Sequence, residues 1–166
     1  TDLMFNRRVA KTHPRVETNG AIDELNAALG MARVGAKPFV SETIARIQAD
    51  LVTIMGELAT DEQDMERYRE RGFGGTTAEM VAAVNEVVHQ LEKAHGIDFK
   101  KWAVPGEAGS SVGAALDMAR TIGRRAERHV AGLIEAECIE NLEILRYLNR
   151  VSDICWLLAR FEERDL

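Results

Sequence analysis

The sequence predicts an all-α protein, a bundle of five helices, and three observations carry that expectation. Apolar residues recur at three- and four-residue spacing through most of the 166-residue chain. No alternating run bounded by turn residues is present to suggest strands. Only three prolines occur, at Pro14, Pro38 and Pro105, so long stretches are free of the strongest helix breaker.

The first helix is expected from Gly20 to Val34, where Ile22, Leu25, Leu29 and Ala32 share one face and His13-Pro14 blocks an earlier start. After the break at Gly35-Ala36-Lys37-Pro38, Ser41 is a candidate N-cap for a second helix running to Thr60. Its stripe is Ile44, Ile47, Leu51, Ile54 and Leu58, and the charged segment from Asp61 to Arg71 reads as a solvated extension of it. Gly72, Gly74 and Gly75 mark a hinge. Thr76 or Thr77 opens a third helix, with Met80, Val84, Val87 and Leu91 facing inward and Gly96 closing it. The connection from Ile97 to Ser111 holds Trp102, Pro105, Gly106 and Gly109. A fourth helix follows from Ser111 to Ala136 and a fifth from Ile139 to Arg164. No repeat, low-complexity tract or second-domain boundary interrupts this order, so residues 1–166 read as one domain.

Charge and composition narrow the function classes. Net charge is −6, the wrong sign for a general nucleic-acid footprint but compatible with a local cationic pocket. No apolar run reaches transmembrane length and the first residues do not resemble a signal peptide, which points to a cytoplasmic protein. Cys138 and Cys155 have no metal-ligand spacing and read as reduced thiols. His13, His89, His95 and His129 form no ligand set, so no protein-held metal site is expected. The glycines near Gly72 lack the strand and lysine of a phosphate loop, and no nucleophile elbow is present.

Chemistry concentrates on the fourth helix. Arg120, Arg124 and Arg128 are spaced by four and stack along one face, with Arg125 in the next sector and Asp117 and Glu127 close by. Guanidinium forks suit phosphate or carboxylate oxygens, yet the same stripe would serve as a solvated, salt-bridged face. Asp23 shares its side of the first helix with Asn26 and Gly30, as a surface acid or as the partner that holds an arginine in one pose. Asn149 and Asp153 lie one turn apart on the fifth helix. Asn149 can serve a ribose, a base or a buried arginine, or bridge two helices. Trp102 is either a loop anchor or a wall for an apolar ligand.

Three ordered blocks resemble the PduO-type ATP:cob(I)alamin (corrinoid) adenosyltransferases. They are Gly20-Ala21-Ile22-Asp23-Glu24-Leu25-Asn26, Ala119 to Arg128, and Tyr147 to Asp153 followed by Leu157-Leu158-Ala159-Arg160. Arg8 to Lys11 and Pro14-Arg15-Val16 resemble the stretch before the first helix, and only residues from about 61 to 98 carry little specific signal. The resemblance implies a five-helix bundle of the cobalamin adenosyltransferase type, assembled as a homotrimer with sites between subunits. It implies transfer of the 5'-deoxyadenosyl group of ATP, bound with Mg2+, to the Co(I) of reduced cobalamin, releasing triphosphate. A reductase and an adenosylcobalamin-dependent enzyme are the partners implied. Lys11, Arg124 and Arg125 would serve ATP, Arg120 would be positioned by Asp23, Asn149 would contact the nucleotide, and Glu127 and Arg128 would support them. Asp23, Arg120 and Arg124 would be the catalytic set. Trp102 occupies the phenylalanine position that excludes the lower axial ligand of cobalt.

The chain also departs from the family pattern. Part of the family's phosphate site is a Thr-Arg-Thr-Gly-Asp segment that would precede Thr1. Glu107 replaces the second glycine of a Pro-Gly-Gly turn, and the stretch to Arg120 is about two residues longer. Asp117 stands for histidine, Asn19 for an aromatic residue and Gly123 for a small or cysteine-like one. These changes touch the cobalamin side more than the arginine core, and the alternative they motivate is a non-catalytic ATP- or adenosylcobalamin-binding relative.

Overall fold

The structure, a computed structural model, describes residues 1–97 and 102–165. The described residues form six α-helices: α1 Pro14–Arg33, α2 Pro38–Leu58, α3 Met65–Glu70, α4 Ala78–His89, α5 Ser111–Glu135 and α6 Glu143–Glu162. They hold no strand, only an isolated bridge between Asp2 and Arg8. The all-α expectation is met, and the count of five is corrected to six. Of the connection expected from Ile97 to Ser111, residues 98–101 lie outside the described residues.

The sixth helix is the charged segment that the sequence joined to the second. The helix instead stops at Leu58, with Ala59 as its C-cap and the hydroxyl of buried Thr60 turned back onto the Gly56 carbonyl. Asp61 then accepts a bond from the Gln63 amide and opens a 3-10 turn, Glu62–Asp64, that leads into α3. A capping aspartate so close behind a helix end restarts the chain in a new direction rather than extending the old one.

Two helix starts also differ from expectation for one reason. Both α1 and α2 begin on a proline, Pro14 and Pro38. Proline lacks an amide hydrogen, and the first helical position has no acceptor to lose, so there proline begins helices rather than barring them. The third predicted helix starts as expected, with the Thr77 hydroxyl accepting from the Met80 amide, but widens to a π-turn over Gln90–Ala94.

The core lies where α5 packs against α1 on one side and α6 on the other, with α2 and α4 closing the bundle. Ile22, Leu25, Leu29, Leu51, Leu116, Leu148 and Leu158 are fully buried in it. Small residues bring α5 close to its neighbours. A Cβ on Gly123 would sit 3.2 Å from the Ser152 hydroxyl and 3.6 Å from Leu25, so this glycine lets α1, α5 and α6 meet at one level.

Polar staples tie the ends of the helices together. The Arg15 guanidinium is buried and donates to the Leu58 carbonyl at 3.1 Å and to the Cys138 carbonyl. It thereby joins the start of α1 to the C-terminal ends of α2 and α5, where carbonyls lack helical partners. Burial pushes its pKa down, offset in part by Asp61. The Glu57 carboxylate accepts from the Thr76 amide and hydroxyl and from the Asn141 amide group, fixing the chain before α4 and before α6 to the end of α2.

Candidate functional site

Helix α5 has two unlike sides. Ala119, Gly123, Ala126 and Val130 are buried against the bundle, while Arg124 and Arg128 are exposed and Arg120 is half-buried. The spacing of four therefore delivers the arginine stripe as the sequence predicts.

The stripe is cross-braced by acids. Arg124 donates to Glu127 at 2.5 Å, and the other Glu127 oxygen accepts from Asn149 of α6 at 3.0 Å. Glu127 is thus shared by two helices, and its side chain is only 15% exposed. Arg125 reaches in the opposite sense, across to Glu24 of α1. Glu24, rather than the expected Asp23, is the α1 acid that meets an arginine. Asp23 is exposed beside it and makes no direct bond to Arg120 among the described residues.

Arg128 leads into a groove of about 480 Å³ between the start of α1 and the second half of α5, lined also by Thr12, His13, Glu17 and His129. Lys11 is exposed on the turn just before it. His13 caps α1 there, its Nδ1 accepting from the Arg15 amide at 3.2 Å. The first amides of α1 are therefore taken by His13, with those of Val16 and Glu17 bonded to its carbonyl, and it is the cations Lys11 and Arg128 that make this groove suit an anion.

At its other end the stripe meets a buried ion network that the sequence reading did not assemble. Asp117, 3% exposed, accepts from Arg160 of α6 at 2.8 Å. Arg160 also forks onto Glu163 at 2.7 and 2.8 Å. Burial works against the Arg160 charge, but the bonds from Glu163 and Asp117 outweigh it and raise its pKa. The one available signal was the i,i+3 spacing of Arg160 and Glu163. Cys155 is buried within electrostatic reach of both Asp117 and Arg120. Burial pushes its thiol up to about 12, opposed by the positive charge of Arg120 and reinforced by Asp117.

Trp102 and the turn at Pro105-Gly106 precede this end of α5. Trp102 is 92% exposed, which places its indole in contact with solvent rather than anchored on the bundle. Gly106 takes a positive φ of 80°, a conformation that favours glycine.

The stripe, the groove and the ion network lie along one helix. A second cleft, about 270 Å³, is lined by Glu57, Glu62, Glu66 and Glu140 with Arg15 and Arg69. Its acids outnumber its bases, so it is a poor place for a polyphosphate. Among the described residues no group of three or more His, Cys, Asp or Glu side chains could hold a metal ion, and no helix is long and apolar enough to cross a membrane.

Residues 1–162 match the family model described as cobalamin adenosyltransferase. The corrinoid adenosyltransferase PduO of Citrobacter freundii is 33% identical over 166 residues, covering 99% of this chain and 47% of that protein. A corrinoid adenosyltransferase of Bacillus subtilis (strain 168) is 37% identical over 155 residues, covering 92% of this chain and 76% of its own. Among solved structures, a variant PduO-type ATP:corrinoid adenosyltransferase from Lactobacillus reuteri, complexed with cobalamin and ATP, superposes with a TM-score of 0.84 at 29% identity. It covers 97% of this chain and 86% of that one. The chain spans about half the length of the two PduO relatives, 47% of each.

Proposed function

The chain belongs to the cobalamin adenosyltransferase family, and from that premise we propose that it transfers the 5'-deoxyadenosyl group of ATP to the Co(I) of reduced cobalamin, giving adenosylcobalamin and triphosphate. The observation that carries the proposal is the coincidence of the family match with the braced arginine stripe on α5. In this reaction Co(I) donates its electron pair to the ribose C5' carbon, the C5'–O bond breaks, and the electron pair of that bond leaves with the triphosphate.

The nucleophile belongs to the corrinoid, so the protein's work is alignment and charge stabilisation. Arg124 and Arg125, each held by an acid, would present guanidinium forks to the triphosphate, with Lys11 and Arg128 adding charge at the groove beside α1. Held arginines lose less freedom on binding than free ones. Asn149 would meet the nucleoside through the edge not bonded to Glu127. Arg120 would stand near the reacting end, with Asp23 as its positioning partner, and Trp102 would face the corrin from its exposed loop. Magnesium would arrive on the triphosphate oxygens, the way this ion usually meets protein in nucleotide sites.

The exposure of Arg124, Arg128 and Trp102 supports a site completed by a second copy of the chain, and we propose a homotrimer with sites between subunits. Residues 1–166 would act as one domain, in the cytoplasm, receiving Co(I) cobalamin from a reductase and passing product to an adenosylcobalamin-dependent enzyme. The decisive assay combines the protein, ATP, magnesium and chemically reduced cobalamin under anaerobic conditions. Adenosylcobalamin formation above the protein-free control is expected. Its absence, with ATP still bound, would favour a non-catalytic binding relative.

A further inference from the structure

The chain before α1 folds back on itself. Asp2 and Arg8 pair as an antiparallel bridge, the Val9 amide donates to the Thr1 carbonyl at 2.9 Å, and the Leu3 amide donates to the Arg7 carbonyl at 2.9 Å. Phe5 and Asn6 make the reversal, with φ of 61° and 58°. Two successive left-handed residues make a tight hairpin turn, and Asn-Gly is the pair that adopts it most readily. A bulky aromatic residue is disfavoured in that conformation, so this tip needs support from outside itself.

The support comes from the end of α2 and from α3. Leu3 is buried, and the Met4 amide donates to the Ala59 carbonyl at 2.8 Å, at the end of α2 where carbonyls lack helical partners. Arg7 Nε donates to Asp64 at 2.6 Å, with Asp61 at 3.9 Å. That bond holds the Asp64 carboxyl below the ordinary carboxylate range. The Arg67 guanidinium lies 4.4 Å from the centre of the Phe5 ring, within cation–π range. Asp64 and Arg67 thus grip one turn from two sides.

Lys11 sits between this hairpin and α1. Only Ala10 separates it from Val9, and the Ala10 carbonyl accepts from the His13 amide at 3.0 Å, closing a turn into α1. The far side of that turn is fixed by the His13 cap and buried Arg15. Its near side is fixed only as firmly as the hairpin is docked. A lysine is a point charge on a flexible stem, so its backbone position limits what its ammonium can reach.

We propose that Asp64 and Arg67 are positioning residues for the nucleotide: by gripping the hairpin tip they hold Lys11 at the mouth of the groove beside α1, where its ammonium meets the triphosphate. Neither side chain touches substrate in this role. The inference rests on the reading that Lys11 serves ATP, and its test separates the two.

The variants are Asp64→Ala/Arg67→Ala, Lys11→Ala and the triple combination, in the full chain, with ATP–magnesium affinity read by calorimetry. The paired change removes one charge of each sign, so the net charge that ATP meets stays the same. It should weaken ATP binding roughly fivefold, and the triple variant should match Lys11→Ala to within about twofold, because nothing is left to position once the lysine is gone. Asp64→Glu/Arg67→Lys keeps both charges and a cation over the ring, and should stay within about twofold of the parent. Hydrogen exchange over residues 1–12 supplies the independent readout and should quicken in Asp64→Ala/Arg67→Ala. Unchanged exchange there would overturn the proposal whatever ATP affinity does. So would losses that multiply in the triple variant, or a loss in Lys11→Ala with none in Asp64→Ala/Arg67→Ala. If exchange quickens while Lys11→Ala binds ATP like the parent, the grip is real, and the assignment of Lys11 to ATP is what fails.

Discussion

Asn149 of α6 donates to Glu127 of α5 across 3.0 Å, and the same carboxylate holds Arg124. The bond makes the pose of an exposed arginine depend on a helix it does not belong to. Asn149→Ala removes the brace from α6, and Glu127→Gln removes the charge that holds Arg124.

Each change should raise the KM for ATP several-fold with a smaller effect on the melting temperature. The bond is partly buried, so a cost of about 1 kcal/mol is expected, roughly fivefold in binding. Steady-state kinetics in ATP at saturating reduced cobalamin checks this. An unchanged KM in both variants would remove Glu127 and Asn149 from the nucleotide site.

The Glu57 carboxylate is a structural anchor and should behave as one. Glu57→Ala strands the Thr76 amide and hydroxyl and the Asn141 amide group in a buried place. Stability should fall by about 3 kcal/mol, the cost of breaking a buried hydrogen-bonded charge. Urea unfolding measures it. A loss below about 1 kcal/mol would mean that water replaces the carboxylate at little cost.

Helix α5 ends on a residue poorly suited to its conformation. Glu137 has φ 55°, with its amide bonded to the Ile134 carbonyl and the Cys138 amide bonded to the Leu133 carbonyl. This is the left-handed turn that glycine usually closes, and an acid there also faces the negative end of the helix. Glu137→Gly should stabilise the protein by about 1 kcal/mol, since left-handed backbone costs other residues about that much. A lower urea midpoint in the variant would refute this account.

The buried thiol of Cys155 couples stability to alkaline pH. Burial raises it from the ordinary 9.0 to about 12 in the fold. Between those values the unfolded chain has lost its proton and the folded chain has kept it, so stability falls as pH rises through that window. Tyr147, also raised by burial and by its bond to Asp50, tilts the curve the same way. Cys155→Ala should therefore lose less stability than the parent between pH 9 and pH 11, with the difference at most about 1.4 kcal/mol per pH unit. Equal slopes would place the Cys155 thiol in contact with water.

Much of this protein could be read along the chain because helices are local. Each depends on contacts within four residues, so the stripes of α1, α2, α4, α5 and α6 and the arginines at 120, 124 and 128 are visible as spacing. The family resemblance rests on the same residues, and the match over 1–162 bears it out. Helix ends were less legible. Proline breaks a helix or begins one according to what precedes it, so His13-Pro14 and Lys37-Pro38 were misjudged, and the Asp61 cap that separates α3 was hidden inside a charged run.

Pairing between helices was not legible at all. Periodicity places Asp23, Glu24, Asp117 and Glu127 near arginines but cannot say which acid takes which base. That choice depends on how α1 and α6 lie against α5, a matter of a few ångströms set by Gly123, Leu25 and Ser152. Tertiary packing gave Glu24 to Arg125, Glu127 to Arg124 and Asn149, and Asp117 to Arg160. The sequence by itself determined that one helix would carry a row of cations. Only the packed bundle decided which of them meet an acid within the chain, because ion pairing is settled by distance in space rather than by spacing in the chain.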